Sequence, residues 1–420
     1  MRKNTKALRN SALLGTAAAM LVVTGCTGGA GSGSGGEGSG GESEERTLKV
    51  QEIFAPGEAF ADSTQAFGDA VTEATDGSVS FEYFWSNSVV PTNEIAGAMN
   101  DGLLDMGRIQ PPASPADFPT MNWLSSASSL NTQAFPAGLL QKIGAHLEFA
   151  MASETGSAQL DSELRNLGIQ YIGAFALVQQ YDLFCSKPVT SLDDFAGLKV
   201  RVAGQAWVDE IENLGGEPVT LLPEEIYEGF QRGIVDCVMT YPTHYVNSGL
   251  WELGGYYVPL KLNGWNQDGL TISNAAWDSL DETQQAAMYG AVKDWLRVFV
   301  GRQLDGYWRF MTEGAEEHGI EYLDPDSEIQ DRIDEHHDVV LEELAAAAPS
   351  GVEDPQAIVD EYVELHEKWL GTIEELGFDV EGNGVNDFLA GLEDPTVPPS
   401  EQIDLEPWLD AIIEAAYKNN

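Results

Sequence analysis

The chain has 420 residues, and 68 acidic residues against 21 basic ones give it a formal net charge of −47. An electrostatic field of that sign repels nucleic acids and anionic membrane surfaces, so no nucleic-acid partner is expected. The length exceeds what a single hydrophobic core usually organises, so we expect two lobes.

The N-terminus has the layout of a bacterial signal peptide. Basic residues at positions 2, 3, 6 and 9 precede an apolar run over 12–23 that is too short to span a bilayer. The run ends in Val23-Thr24-Gly25-Cys26, which resembles the lipobox of bacterial lipoproteins. We therefore expect residues 1–25 to be removed and Cys26 to carry a lipid. The alternative is an ordinary secreted protein with an incidental cysteine.

A tether and then a folded region follow the lipidation site. Residues 26–45 are mostly Gly, Ser and Glu, a composition that behaves as a flexible coil, so folded structure should begin near Arg46. No later segment is apolar enough to span a bilayer. The lipid would then be the single membrane anchor of an extracytoplasmic protein.

Short strands and helices alternate from about residue 48 onward. The first unit has predicted strands at 48–54, 80–85 and 105–109, with helices at 62–75 and 94–100. This βαβαβ order predicts a parallel sheet with the loops after its strands on one edge, where ligands bind. A second such unit runs over 169–239. One long helix is predicted at 281–318, and further helices at 326–347, 355–376 and 404–417.

Two cysteines remain in the folded region. Cys185 and Cys237 each lie in an apolar, strand-like run. They can form a disulfide outside the cytoplasm, or both can be buried free thiols. The sequence does not decide between these alternatives, because it does not supply the geometry that a disulfide requires.

The motifs of common enzymes are absent from the sequence. It contains no P-loop, no G-x-G-x-x-G after a strand, no G-x-S-x-G, no H-E-x-x-H and no C-x-x-C. His336 and His337 are adjacent on an acidic helix and point to different faces, which favours solvated side chains over metal ligands. We therefore predict a protein that is not an enzyme, without catalytic residues, metal or cofactor.

Arg201 stands out in a chain with so few basic residues. It ends the predicted strand in GLKVRV at 197–202, where the sheet-edge rule places ligand contacts. Its planar guanidinium can bind a carboxylate through two charge-assisted hydrogen bonds. The alternative is an ion pair with one of the many surface carboxylates, and the residues alone leave both possibilities open.

Three consecutive stretches carry a family resemblance: SLDDFAGLKVRVAG at 191–204, LGGEPVT at 214–220 and EIYEGFQRGIVD at 225–236. Weaker similarity extends over about 55–277 and includes NDGLLDM at 100–106 and TISNAAW at 271–277. In this order they resemble the extracytoplasmic solute-binding proteins of tripartite ATP-independent periplasmic (TRAP) transporters, DctP type. The resemblance implies a two-lobed, periplasmic-binding-protein-like α/β clamp, each lobe a sheet flanked by helices, with a long hinge-spanning helix.

The lobe boundaries follow from placing the predicted elements on that clamp. Lobe I is expected at 46–178 plus 268–308. Lobe II, together with the C-terminal helices, is expected at 179–267 plus 309–420.

The resemblance also implies a role for Arg201, which in that family binds the carboxylate of the ligand. The asparagine usual after the next helix is missing here, so Thr240 or Tyr241 is expected to replace it. A second arginine usual in the family is also missing, and Gln179 and Gln180 lie near its place. These departures favour a carboxylate ligand with a bulkier or less charged remainder over a simple dicarboxylate.

Loops at the same sheet edge supply further candidates for the walls of the site. For the aromatic candidates the alternative is packing within the core, and for the arginine it is an ion pair with a surface carboxylate. The additional predicted ligand-binding residues are Trp85, Arg108, Gln110, Gln180, Trp207 and Trp265.

The sequence thus predicts capture of a small carboxylate-containing solute between two lobes that close on it. The family resemblance implies delivery to the integral membrane subunits of a TRAP transporter driven by an ion gradient. One alternative is a solute-binding lipoprotein of an ATP-driven importer or a sensor. Another is a secreted hydrolase that uses carboxylates.

Overall fold

Two β-sheets organise the folded chain, and the computed structural model describes residues 44–176, 178, 180–264, 267–381, 389 and 392–418. The predicted signal peptide, the lipidation site Cys26 and nearly all of the tether lie outside the described residues. The strands are β1 (Arg46–Gln51), β2 (Val79–Phe84), β3 (Met106–Ile109), β4 (Ile169–Phe175), β5 (Gln180–Cys185), β6 (Lys199–Val202), β7 (Glu217–Thr220), β8 (Cys237–Thr240), β9 (Gly255–Asn263), β10 (Asp268–Ser273) and β11 (Ile320–Tyr322).

Helices cover both sheets. They are α1 (Ala59–Ala74), α2 (Ile95–Asn100), α3 (Pro119–Leu124), α4 (Ala137–Ala152), α5 (Gly156–Asn166), α6 (Gln205–Leu214), α7 (Ile226–Gln231), α8 (Pro242–Asn247), α9 (Asn274–Asp278), α10 (Glu282–Gly290), α11 (Val292–His318), α12 (Ser327–Glu343), α13 (Pro355–Glu375) and α14 (Glu406–Tyr417). Among the described residues, no helix combines the length and the apolar character that a membrane span requires.

The first sheet has the strand order β2-β1-β3-β10-β4. Strands β1, β2 and β3 run parallel, as the βαβαβ pattern predicts, and β10 runs antiparallel between β3 and β4. Parallel strands need helical crossovers, which here put the loops that follow β1 and β3 on one edge. That edge faces the second sheet, and Phe54 after β1 and Gln110 after β3 lie beside residues of that sheet.

The second sheet has the order β11-β9-β5-β8-β6-β7. Its parallel β6, β7 and β8 belong to the second predicted unit, 169–239, whose first strand, β4, lies instead in the first sheet. Cys185 and Cys237 lie opposite each other on the antiparallel strands β5 and β8, and they form a disulfide. The sequence left open whether these cysteines form a disulfide or are free thiols, and the structure has the disulfide. A disulfide is typical of proteins in an oxidising compartment.

In the order of the described strands, the chain passes between the sheets three times. It crosses from β4 to β5, returns from β9 to β10, and crosses again along α11, which packs against α1 on the first sheet's side and α8 on the second's. The helix predicted over 281–318 is interrupted at Ala291, which separates α10 from α11. The predicted fold class is confirmed, with two sheets flanked by helices and a long helix that contacts both lobes.

The last two helices differ from the expected lobe assignment. Residues 309–420 were assigned to lobe II, but α13 and α14 both pack against α4, which covers β4 of the first sheet. Glu148 on α4 links this helix to α13: its carboxylate accepts a hydrogen bond from Trp369 Nε1 at 2.9 Å and forms an ion pair with Lys368 at 2.6 Å. The physical reason is that α4 is buried nearly all round, so it needs a cover on its outer face as well.

Candidate ligand-binding site

Arg201 lies at the end of β6 with its guanidinium held by two backbone carbonyls. Its Nε and Nη2 donate to Leu221 O at 3.2 and 3.0 Å, and its Nη1 donates to Met239 O at 3.4 Å. Leu221 follows β7 and Met239 lies on β8, the two strands that flank β6. The sheet therefore orients this side chain from both sides.

The charge of Arg201 has no carboxylate partner among the described residues. It is 4% exposed, and no described Asp or Glu oxygen comes within 4.0 Å of it. Burial lowers the pKa of Arg201 to about 10, a direction that Tyr181 opposes, so the group stays protonated at neutral pH. A buried cation without a counter-ion is costly unless a ligand supplies one.

A cavity of about 30 Å³ lies beside Arg201, at the carboxyl ends of the strands. Its walls come from both lobes, with Phe54 and Gln110 from the first and the remainder from the second. This volume holds one or two water molecules, so a solute enters only when the lobes move apart. The described residues that line the cavity are Phe54, Gln110, Tyr181, Arg201, Pro223, Ile226, Thr240, Tyr241 and His244.

The polar groups of this cavity are uncharged apart from Arg201. Thr240 Oγ1 lies 3.4 Å from His244 Nδ1, and burial followed by the nearby arginines lowers the pKa of His244 to about 3. The imidazole is therefore neutral at physiological pH. The Gln110 side chain is 5% exposed, and its Oε1 has no hydrogen-bond partner among the described residues.

Arg108 is used differently from what we expected. We predicted that it reaches polar groups of the ligand or pairs with a surface carboxylate, but it lies 1% exposed on β3 and does not line the cavity. Its Nε is 3.2 Å from Glu52 Oε1 and its Nη1 is 2.5 Å from Asp268 Oδ2, both buried. The guanidinium also stacks over Phe60, 3.8 Å from the ring centre. The two carboxylates neutralise Arg108.

Three other predicted wall residues lie outside this cavity. Trp85 stacks on Tyr83 with ring centres 4.8 Å apart at the sheet edge, and Trp207 is 1% exposed with its Nε1 donating to Asn263 O. Gln180 lies at the start of β5 and donates to Leu260 O at 3.4 Å. For the two tryptophans these contacts match the packing alternative. The remaining candidate, Trp265, lies outside the described residues.

The sequence reasoning missed several lining residues. Phe54 follows β1 at the binding edge, which the sheet-edge rule already indicated. Tyr181 is the second residue of β5, an antiparallel strand whose start lies beside the carboxyl ends of its neighbouring strands. Its ring stacks on that of Tyr241, with the ring centres 6.1 Å apart. His244 lies one helical turn after Thr240. Only the strand order, which is not a local signal, brings these side chains together.

Two contacts close the cleft beyond the cavity. Thr92 Oγ1 of the first lobe donates to Glu224 Oε2 of the second at 3.1 Å. Gly204, after β6, approaches Pro112 so closely that an added Cβ would lie 2.7 Å from the Pro112 Cβ. The lobes are therefore in contact around the cavity, as in a closed clamp.

Two larger cavities, of about 270 and 240 Å³, lie away from the strand ends. The first lies by α5, where Arg165 is exposed and paired with Asp161, and the second lies between α6 and α12. Neither has a buried cation without a counter-ion, so we place the candidate site at Arg201. In the part of the chain that the structure describes, no group of three or more His, Cys, Asp or Glu residues is arranged to hold a metal ion.

Comparisons with known proteins agree with this architecture. The family model described as bacterial extracellular solute-binding protein, family 7 (DctP), matches residues 51–347. A solute-binding protein of Roseobacter denitrificans is 25% identical over 252 residues, which are 59% of this chain and 73% of that protein.

Solved structures have the same fold. A TRAP solute binding protein from a marine metagenome, specific for pyroglutamate and crystallised with it, aligns with a TM-score of 0.64 at 18% identity over 76% of this chain and 99% of its own. A TRAP periplasmic solute binding protein of Bordetella bronchiseptica, with bound (R)- and (S)-mandelate, aligns with a TM-score of 0.63 at 20% identity over 77% and 99%. The chain belongs to the bacterial extracellular solute-binding proteins of family 7, the DctP family, which are receptors for solutes outside the cytoplasm and not enzymes.

Proposed function

We propose that this protein captures a small organic acid, binds its carboxylate with Arg201, and delivers it to the membrane subunits of a TRAP transporter. One observation carries the proposal: a fully buried guanidinium lines a cavity between the lobes and has no described carboxylate within ion-pair distance. A ligand carboxylate supplies the missing negative charge. The acids in the two similar solved structures, pyroglutamate and mandelate, support this class of ligand.

Closure of the lobes completes the site in this mechanism. The solute enters between open lobes, and Arg201 holds its carboxylate. The rings of Phe54, Tyr181 and Tyr241 then exclude water, which strengthens the ion pair. Binding energy is used to shift the open and closed populations and not to stabilise a transition state.

Attachment to the membrane is the further part of the proposal. Cys26 carries the lipid, and residues 26–45 tether the folded region. A Gly- and Ser-rich segment of this kind lets the receptor move between the lipid bilayer and its permease. A Cys26→Ser variant should no longer be found in the membrane fraction of cells when the cells are fractionated. Its retention in that fraction would contradict the lipid anchor.

Native mass spectrometry of the purified full chain tests the function. The expected result is an adduct with the mass of a small organic acid, lost on denaturation and replaced by added pyroglutamate or mandelate. Calorimetry should then give a stoichiometry of one acid per chain, with the acid recovered intact. Binding of no acid, or of an uncharged solute with unchanged affinity in an Arg201→Met variant, would contradict the proposal.

The close approach of Gly204 to Pro112 predicts a closure mutant. Gly204→Ala puts a methyl group 2.7 Å from the Pro112 Cβ, and overpacking of this kind costs about 1–3 kcal/mol. The cost falls on the closed form alone, so acid affinity should drop about 5- to 150-fold. Calorimetry measures the affinity, and Gly97→Ala, with nothing within 4 Å of the added methyl, is the control. Equal affinities of the two variants would contradict closure at this contact.

A further inference from the structure

The charges around the candidate site leave one positive charge for a ligand. Among the described residues that line the cavity, Arg201 is the cation, and His244 is neutral because burial holds its pKa near 3. Arg108 lies nearby, but Glu52 and Asp268 already neutralise it. A second ligand carboxylate would therefore be buried without a second unpaired cation among the described residues that line the cavity.

Gln110 adds a fixed hydrogen-bond acceptor to this space. Burial is the main influence on the pKa of Asp268 and raises it, whereas the Gln110 side chain is among the groups that lower it, as an amide N–H directed at the carboxyl group does and an amide oxygen does not. That fixes the orientation of the amide and leaves Oε1 as the free end. Oε1 is buried and has no partner among the described residues. A buried acceptor without a hydrogen bond costs free energy, and a donor group on the ligand would remove that cost.

We propose that this site selects organic acids with one carboxylate and, beside it, a hydroxyl or N–H group that donates to Gln110 Oε1, and that it discriminates against dicarboxylates. The inference rests on the proposed function, because it takes Arg201 as the carboxylate anchor. Gln110 is then a specificity-determining residue on the first lobe, facing the anchor on the second. A ligand that satisfies both holds the two lobes together.

The remaining walls fit the uncharged part of such an acid. Phe54, Tyr181 and Tyr241 present rings, and Pro223 and Ile226 add aliphatic surface. Apolar walls stabilise a flat or compact ligand body by burial but offer nothing to a second charge. The donor to Gln110 and the acid group for Arg201 are the two polar requirements that this inference adds to those apolar walls.

Matched pairs of acids test the two requirements separately by calorimetry on the purified full chain. Succinamate and succinate differ in one negative charge, and we expect succinamate to bind at least about tenfold more tightly. Mandelate and phenylacetate differ in one hydroxyl donor, and we expect mandelate to bind at least about tenfold more tightly. Equal or tighter binding of succinate, or of phenylacetate, would overturn the inference.

A Gln110→Leu variant tests the assigned acceptor. The preference for mandelate over phenylacetate should fall to within about threefold, because the hydroxyl loses its partner. The readout is a ratio of two affinities on the same protein, so a lower folded fraction does not affect it. A preference that stays at the parental value would remove Gln110 from the site, whatever the stability of the variant.

The outcomes separate this inference from the function on which it rests. Tight, Arg201-dependent binding of succinate would overturn the selectivity and leave the proposed function intact. If none of the four acids binds, the structure of the acid identified by native mass spectrometry tests the proposed selectivity instead. Two carboxylates in that acid, or no donor group, would overturn the selectivity, and a ligand without any carboxylate would overturn both.

Discussion

Replacing Arg201 with methionine is expected to abolish acid binding while leaving the protein folded. Among the described residues that line the cavity, Arg201 is the one cation, so in the variant a bound carboxylate would be buried without that partner. Losing one member of a buried, hydrogen-bonded charge pair costs about 3–5 kcal/mol, which is more than a hundredfold in affinity. Isothermal calorimetry with the acid found in the purified protein measures it.

The stability of the same variant makes the prediction more specific. In the protein without a ligand the Arg201 charge is buried and no described carboxylate compensates it, so its removal offsets the loss of hydrogen bonds to Leu221 and Met239. The free energy of unfolding should stay within about 1 kcal/mol of the parent. Arg201→Lys should recover little binding, because an ammonium does not reproduce the two-pronged geometry of the guanidinium. Near-parental affinity in either variant would remove Arg201 from the site.

Replacing Arg108 with methionine is expected to have the opposite profile, with a large loss of stability. The variant leaves Glu52 and Asp268 buried beside each other without their shared cation. Breaking a buried pair in this way costs about 3–5 kcal/mol. Denaturant unfolding measures the loss, and Arg165→Met, which removes an exposed pair with Asp161, should change stability by less than about 1 kcal/mol.

The effect of pH identifies the cause of that loss. Burial raises the pKa of Asp268 to about 7, against the opposing effect of Arg108, so removing Arg108 raises it further. A carboxyl with a raised pKa in the folded state favours folding at low pH, and this contribution is lost as the pH rises through the folded-state pKa. The Arg108→Met deficit should therefore be larger at pH 8 than at pH 5. A deficit independent of pH would point to lost packing over Phe60 instead.

These two variants distinguish the roles of two arginines that are both almost fully buried. Arg108 has its counter-ions in the fold, so it stabilises the first lobe. Arg201 has none among the described residues, so it is available to a ligand. Surrounding carboxylates, and not the arginines themselves, decide which of the two charges is already neutralised and which we propose for the ligand.

The alternation of strands and helices along the chain could be predicted from the sequence alone. Predicted strands over 48–54, 80–85 and 105–109 correspond to β1, β2 and β3 within a few residues. Apolar periodicity and the Gly and Asp residues at turns are local signals, and they act over one element at a time. The position of Arg201 at a strand end belongs to the same class of signal.

Strand order, by contrast, required the tertiary structure. That β10 inserts between β3 and β4 brings Asp268 onto Arg108, a contact across 160 residues that no local pattern encodes. Without these two carboxylates Arg108 would be a second buried cation with no counter-ion among the described residues. The cover of α4 by α13 and α14 is likewise a packing outcome.

By itself the sequence determined the α/β class, the two lobes, the family and an arginine at the binding edge, because these follow from periodicity and from contiguous motifs. Only the tertiary structure decided which polar groups near that edge are already partnered and which, such as Gln110 Oε1, are not. The physical reason is that burial and pairing depend on neighbours distant in the chain, and these two quantities set whether a charge or a carbonyl is available to a ligand.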